Sequence, residues 1–340
     1  MKKLVSIILA AALAFSLAAC GGGSDSSSSA SQSASQAADS VASKAEDGKA
    51  LKIGFALPTL QFPFYVRMHD AFVEECEKRG WEVVFVDGNL DSLTEVNGCL
   101  DLISKNVDAL VFATWWMDAM VDVFDLAAKS DIPVYMMDGV TTPDGVEYVS
   151  ITGTDNYDAG KVGGTWMAGQ LKAEGKTSVN LINITMASES AVDRCNGFMD
   201  GMKENGIEVN LVNDYIGDTR AKSMQAAEDA LVTYGEGKVD LIFGYSAQSS
   251  LGAYDAVVAA NRSEIKVMGF DGEQDELDLI DAGTQYVGTI IQYPDKMGVL
   301  TAELIEKPLI GGETVEQKQP MSAGVYCADG ALSGEEIMGK

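Results

Sequence analysis

From Leu51 onward, short apolar runs alternate with longer amphipathic stretches. Leu51 to Leu57 reads as a strand. Pro63 to Arg79 reads as a helix, because Phe64, Met68, Phe72 and Cys76 recur every fourth residue on one face and Gly80 stops it. The pattern repeats with strand Glu82–Val86, helix Ser92–Lys105, strand Ala109–Phe112, helix Asp118–Lys129 and strand Pro133–Met137. A second cycle follows Gly153: helix Tyr157–Ala173, strand Ser178–Ile184, helix Ala191–Asn205, strand Ile207–Val212, helix Arg220–Tyr234 and strand Val239–Phe243. Helix Ser249–Ala260, strand Ile265–Met268, helix Gln274–Ala282 and strand Tyr286–Ile291 complete it. Strands that alternate with helices of this length imply parallel sheets covered on both faces. The fold class is therefore α/β, as two lobes in tandem, and helix Asp295–Glu306 has no place in the linear order. In such lobes ligands gather at the carboxyl ends of the strands, and a cleft between two lobes is the expected site.

The amino-terminal end has a different character. Lys2 and Lys3 precede an apolar run, Leu4–Ala18, that is shorter than the ~20 residues of a membrane-spanning helix. Residues 1–19 read as an export signal. The tetrapeptide Leu17-Ala18-Ala19-Cys20 resembles a lipoprotein box, which implies a lipid on the Cys20 thiol. Residues 20–50 continue with Gly21–Gly23 and a tract of Ser, Ala and Gln that lacks the apolar side chains needed to offset the entropy of ordering, so they are expected to form a flexible tether.

Charge narrows the partners. The chain carries a formal net charge of −27 with no cluster of Lys and Arg, which argues against nucleic acid as a partner. Beyond Cys20 there are Cys76, Cys99, Cys195 and Cys327 without a CxxC pair, so no structural zinc is expected. A Cys76–Cys99 disulfide stays open. The acidic run Asp271, Glu273, Asp275, Glu276 and Asp278 lacks the glycine of a calcium loop and reads as the first turns of a helix. Gly244-Tyr245-Ser246-Ala247-Gln248 falls one residue short of a nucleophile elbow, and the single histidine, His69, precedes that serine instead of following it. Gly175-Lys176-Thr177 lacks the first glycine of a phosphate loop. No enzyme, metal or cofactor is expected from these patterns.

Markers spread along the chain carry a resemblance: Thr59-Leu60-Gln61-Phe62-Pro63-Phe64-Tyr65, Ile132-Pro133-Val134 leading to Asp138, Gly153-Thr154-Asp155-Asn156, Asp193-Arg194 with Gly197-Phe198, Gly269-Phe270-Asp271-Gly272, and Gln292-Tyr293-Pro294 with Gly298. In order and spacing the chain resembles the periplasmic sugar-binding proteins of the ribose-binding type, over 51–325. The resemblance implies two similar Rossmann-like lobes with parallel sheets (periplasmic binding protein type I), joined by a three-segment hinge that closes on ligand. The crossovers would lie near 152–156, 290–294 and 318–322. The first lobe would then comprise 51–153 plus 292–318, with helix Asp295–Glu306 returned to it, and the second 154–291 plus 319–340.

A sugar offers hydroxyl pairs at its edge and an apolar C–H face, so its site needs polar groups around the rim and rings above and below. Phe62, Phe64 and Tyr65 leave the first strand where the family's aromatics stack on the ring, with Phe62 equally readable as core. Asp138 and Asp271 each end an apolar strand and can accept hydroxyl hydrogen bonds; Asp271 could also cap the helix after Gly272. Arg194, early in a helix, calls for a ligand or carboxylate partner. Gln292 can donate and accept at a crossover, to ligand or within the hinge. Three positions depart from the ribose-type pattern: Ala113 stands for Asn, Gly139 for Arg, and Ser246-Ala247 for Asn-Asp, while Trp115 and Trp116 are added beside the site. Ribose itself is therefore not the expected ligand, and only one of the two tryptophans is expected to reach the cleft. The function implied is an extracytoplasmic solute-binding lipoprotein, expected to be monomeric, that passes a small polar ligand, a sugar first among them, to an ABC-type permease and its ATPase. A ligand-presenting subunit for a chemotaxis or kinase sensor, or a binder of a nucleoside, is the alternative.

Overall fold

The computed structural model describes residues 50–139 and 141–339. The export signal, Cys20 and nearly all of the tether lie outside the described residues. Two sheets dominate. The first has the order β11-β5-β4-β3-β1-β2 and is parallel throughout; its strands are β1 (Lys52–Leu57), β2 (Glu82–Asp87), β3 (Ala109–Phe112), β4 (Val134–Met137), β5 (Ser150–Thr154) and β11 (Lys318–Met321). The second runs β13-β12-β10-β9-β8-β6-β7, from β6 (Ser178–Thr185), β7 (Glu208–Ile216), β8 (Leu241–Gly244), β9 (Lys266–Asp271), β10 (Tyr286–Ile291), β12 (Gly324–Cys327) and β13 (Gly330–Ser333). Its β6–β10 pairings are parallel, whereas β12 and β13 close one edge as an antiparallel hairpin.

Helices cover both faces of each sheet, as apolar runs with no solvent face require. On the first sheet, α1 (Pro63–Lys78) and α9 (Pro294–Leu309) share a core with Phe55, Phe72 and Met297, while α2 (Ser92–Ser104) and α3 (Val121–Lys129) bury Leu102, Phe112 and Phe124 on the opposite face. On the second sheet, α4 (Asn156–Ala173) and α5 (Glu189–Glu204) bury Trp166, Phe198 and Phe243 on one side. Helices α6 (Arg220–Thr233) and α7 (Ala247–Ala259) pack over Ile182, Leu251 and Val267 on the other. Helix α8 (Gln274–Asp281) follows β9, and the short α10 (Gly334–Met338) ends the chain.

The α4–α5 pair meets backbone to backbone. A methyl at Gly164 would collide with the carbonyl of Phe198, and one at Gly197 with the carbonyl of Tyr157. This contact fixes where α5, and with it Arg194, stands. Helix α9 packs on α1, against β4 and β5, so the segment without a place in the linear order belongs to the first sheet.

The chain passes between the sheets at Asp155, at Gln292–Tyr293 and at Ser322–Ala323. The third passage falls at the far end of the crossover expected near 318–322, later than the lobe division at 318/319. Lys318–Met321 pairs with Ile151–Thr154 of β5 and so extends the first sheet to Met321. An exposed edge strand with Lys, Gln and Pro carries little apolar signal, and neither β11 nor the β12–β13 hairpin was legible beforehand. Cys76 and Cys99 are free and buried, and each lies in a different core cluster of the first lobe, so the open disulfide is not formed.

Candidate functional site

Both sheets present the carboxyl ends of their strands toward the crossovers, and the polar residues of interest collect there. In the first lobe Asp138 follows β4 with φ +58°; in the second Asp271 ends β9 with φ +108°. Aspartate is among the few non-glycine residues that occupy positive φ readily, and such conformations concentrate at functional sites. The Tyr65 hydroxyl donates to Asp138 Oδ2 at 2.7 Å, and Trp115 Nε1 donates to the Tyr65 oxygen. Phe62 packs on Trp115 with ring centroids 5.6 Å apart, and Tyr65 on Trp115 at 5.8 Å. Trp115 is 44 % exposed.

Arg194 is the centre of the second half. Its Nε donates to Asn156 Oδ1 at 2.8 Å and its Nη1 to the Tyr245 carbonyl at 3.0 Å, while Nη1 stands 3.6 Å from Asp271 Oδ1 and the guanidinium lies 4.0 Å over the Phe270 ring. These partners explain a cation early in α5. Asp271 accepts from the Gln292 amide at 2.7 Å and from the Ala247 backbone N–H at 3.0 Å. It therefore takes the first free N–H of α7 and does not cap its own α8, whose N-cap is Glu273. Gln292 is 2 % exposed, and its Oε1 has no partner.

The charges of the two halves feel one another. Burial raises the Asp138 carboxyl to about 6; the Tyr65 hydrogen bond and Arg194 lower it, and Asp271 raises it. Burial likewise raises Asp271, against Arg194, which lowers it. One carboxylate from each lobe is thus within range of the charge of Arg194.

The remaining sequence candidates are placed as follows. Phe64 is 8 % exposed and sits in the first lobe's core, edge-on to Tyr65 at 5.2 Å. Ser246 is the N-cap of α7, with its hydroxyl engaged by the Ser249 N–H in a capping box. Of the tryptophans, Trp115 is bonded to Tyr65, whereas Trp116 is half-buried and packs edge-on against Trp115 at 5.9 Å.

Two carboxylates escaped sequence reasoning. Glu95 of α2 is fully buried, accepts from the Thr114 hydroxyl at 3.1 Å, and keeps Oε1 unpartnered; burial lifts it to about 8. Glu276 belongs to the acidic run read as exposed helix turns, yet it is fully buried. Its Oε1 accepts from Tyr286 and Thr289, and its Oε2 from the Glu273 N–H at 2.8 Å, so it holds the Asp271–Glu273 loop from beneath. Only Asn156 had a signal, as part of Gly153-Thr154-Asp155-Asn156.

The same arrangement has relatives. Residues 53–313 match the periplasmic binding protein domain. This chain belongs to the type I periplasmic sugar-binding protein family. The ribose import binding protein RbsB of Haemophilus influenzae is 30 % identical over 291 residues, 85 % of this chain and 94 % of that protein. Its namesake in Escherichia coli is 28 % identical over 269 residues, 79 % and 88 % of the two chains. Among solved structures, an ABC transporter solute binding protein from Mycobacterium smegmatis with bound glycerol superposes with a TM-score of 0.71 at 28 % identity, covering 82 % of this chain and 95 % of that one. These relatives are binding proteins, and this family member is a binding protein rather than an enzyme. The family is extracytoplasmic, and no helix among the described residues is long and apolar enough to cross a membrane.

Proposed function

We propose that the chain captures a small polyhydroxylated molecule, a sugar or polyol, between its two lobes and delivers it to an ABC-type permease, with the lipid on Cys20 keeping it at the membrane. The observation that carries the binding reading is the Arg194–Asp271 pair at the carboxyl end of β9 together with Asp138 at the carboxyl end of β4, within range of the charge of Arg194. Groups on both lobes that share one ligand close around it, and carboxylate and guanidinium together supply the charged acceptors and donors that vicinal hydroxyls need. Rings at Phe62, Tyr65 and Trp115 suit the C–H face of such a molecule. Delivery to a permease and lipid anchoring are supported by the names of the relatives and by the Leu17–Cys20 sequence respectively.

A thermal-shift screen after unfolding and refolding, against pentoses, hexoses, disaccharides, polyols and nucleosides, tests the binding reading. A ligand that binds only the folded state at 100 times its dissociation constant adds ~2.7 kcal/mol. A shift with a sugar or polyol that disappears in Asp138→Ala and Arg194→Ala proteins supports it. A shift with nucleosides alone removes the sugar and keeps the binding fold. Radiolabelled palmitate incorporation into the wild type but not Cys20→Ser tests the anchor.

A further inference from the structure

Two carboxylates of the site share one guanidinium. Among the described residues, Arg194 is the only cation within range of Asp138. Arg194 is held by others: its Nε by Asn156, its Nη1 by the Tyr245 carbonyl, with Asp271 3.6 Å away. The next cation, Arg67 of α1, is within range of Asp271 and Glu273 but pairs with Asp295 at 2.8 Å. Lys296, beside the second crossover, lies over the Tyr293 ring. Asp138, Asp271, Glu273 and Asp295 thus divide Arg194 and Arg67 among them, and Asp138 is left without a cation of its own. Burial lifts its carboxyl only to about 6, so it is ionised at neutral pH.

Apart from the Arg194 guanidinium, the groups here with hydrogen-bonding capacity left are acceptors. Tyr65 donates to Asp138 Oδ2, whereas Oδ1 takes no hydrogen bond from a described residue and the side chain is only half-buried. Gln292 is 2 % exposed, gives its amide to Asp271 and keeps Oε1 unpartnered. The nearby donors are spent, the Trp115 indole N–H on Tyr65 and the Thr114 hydroxyl on Glu95. Beside the carboxylate stand Phe62 and Trp115, ring centroids 5.6 Å apart, and aromatic faces attract cations. A hydroxyl can donate to Asp138 Oδ1 but leaves its charge unbalanced. An ammonium group donates to the same atom and balances it.

We infer that the ligand carries a protonated amine: it is an amino sugar or amino polyol whose ammonium group donates to Asp138 Oδ1 beside Phe62 and Trp115, while its hydroxyl edge meets Arg194 and Asp271. This rests on the sugar or polyol reading above and narrows its class. Asp138 is then the residue that selects the amine from its hydroxyl counterpart, because it is the acceptor whose charge no side chain of the protein matches.

Isothermal titration at neutral pH with matched sets tests it: D-glucamine with D-glucitol, D-glucosamine with D-glucose and N-acetyl-D-glucosamine, and D-galactosamine with D-galactose and N-acetyl-D-galactosamine. The wild type is expected to bind the amine of a set about tenfold or more tightly than its neutral members, the low end for a close charge pair across an interface. Asp138→Asn, which keeps an acceptor for Tyr65 and removes the charge, is expected to bring that ratio toward one by weakening the amine more than its hydroxyl parent. A wild type that binds the parent or the N-acetyl form as tightly as the amine overturns the amine and leaves the carbohydrate reading intact, and this comparison needs no variant to fold. A preference unchanged in folded Asp138→Asn, as checked by circular dichroism melting, overturns Asp138 as its source. Heat with no member of any set, while a neutral sugar or polyol shifts the melt, overturns the amine alone; silence in both experiments overturns both readings.

Discussion

The guanidinium of Arg194 stands 3.6 Å from the carboxylate of Asp271, and the two side chains are only 10 % and 13 % exposed. The Tyr245 carbonyl holds one side of the pair and the Gln292 amide the other, while Phe270 lies beneath the guanidinium. A pair held in this way has its geometry set by neutral groups of the protein itself. It gives the second lobe a rigid polar platform on which a hydroxyl edge can be read.

Removing one member of that pair leaves the other buried without its counter-charge. Arg194→Ala is expected to weaken ligand binding by about 2–5 kcal/mol, the range for truncating one partner of a buried charged pair. Arg194→Lys is expected to recover only part of this, because an ammonium cannot reach Asn156, the Tyr245 carbonyl and Asp271 from one plane. Titration calorimetry of the three proteins checks the order; equal affinities would place Arg194 outside the binding machinery.

Affinity is expected to depend on pH through Asp138. Its carboxyl titrates at about 6 in the folded protein. The ionised carboxylate accepts a ligand hydroxyl more strongly than the protonated acid does, so binding is expected to be tightest near pH 8 and to weaken as the pH drops through 6. Asp138→Asn is expected to flatten this profile at lower affinity. A profile that stays sloped in the variant assigns the titration to another group.

Glu95 couples stability to pH. Its folded value of about 8 lies above the ordinary 4.5, so the buried protonated form is favoured. The stability this contributes is fully present below pH 4.5 and is lost as pH rises through 8. Glu95→Gln keeps the Thr114 contact without a charge to desolvate. Urea unfolding at pH 4 and pH 9 is expected to show the variant changing little at pH 4 and gaining at pH 9, with the gain building between pH 4.5 and 8.

The close approach of α4 and α5 has no room for a methyl. Gly164→Ala is expected to destabilise by about 1–3 kcal/mol through overpacking, and to lower affinity as well, because α5 carries Arg194. Gly169→Ala on the same helix meets open space and is expected to stabilise slightly. Urea unfolding of both variants separates crowding from a general effect of substitution.

The four thiols of Cys76, Cys99, Cys195 and Cys327 are free and buried, and burial pushes both Cys76 and Cys195 up to about 12. A thiol reagent is expected to label them only after denaturation, with the same result under reducing and non-reducing conditions.

Much of the architecture is written in local patterns. The four-residue spacing of Phe64, Met68, Phe72 and Cys76 determines α1, and the apolar runs Ala109–Phe112 and Tyr286–Ile291 determine β3 and β10 to the residue, because an element buried on one or both faces must repeat its apolar positions with its own period. Asp138 and Asp271 were legible for the same reason: a charged residue directly after a fully buried strand stands at the strand's carboxyl end. Tertiary structure decided what those groups are joined to. Nothing in the sequence says that Asp271 accepts from the first N–H of α7 or that Tyr65 donates to Asp138, since the partners are 24 and 73 residues away. Nor does it separate Glu276, which is sealed beneath β10, from exposed Asp275 beside it, because the two belong to one acidic run and differ only in the direction each faces on the folded helix. Period and composition act between neighbours along the chain, whereas a buried carboxylate is defined by what closes over it.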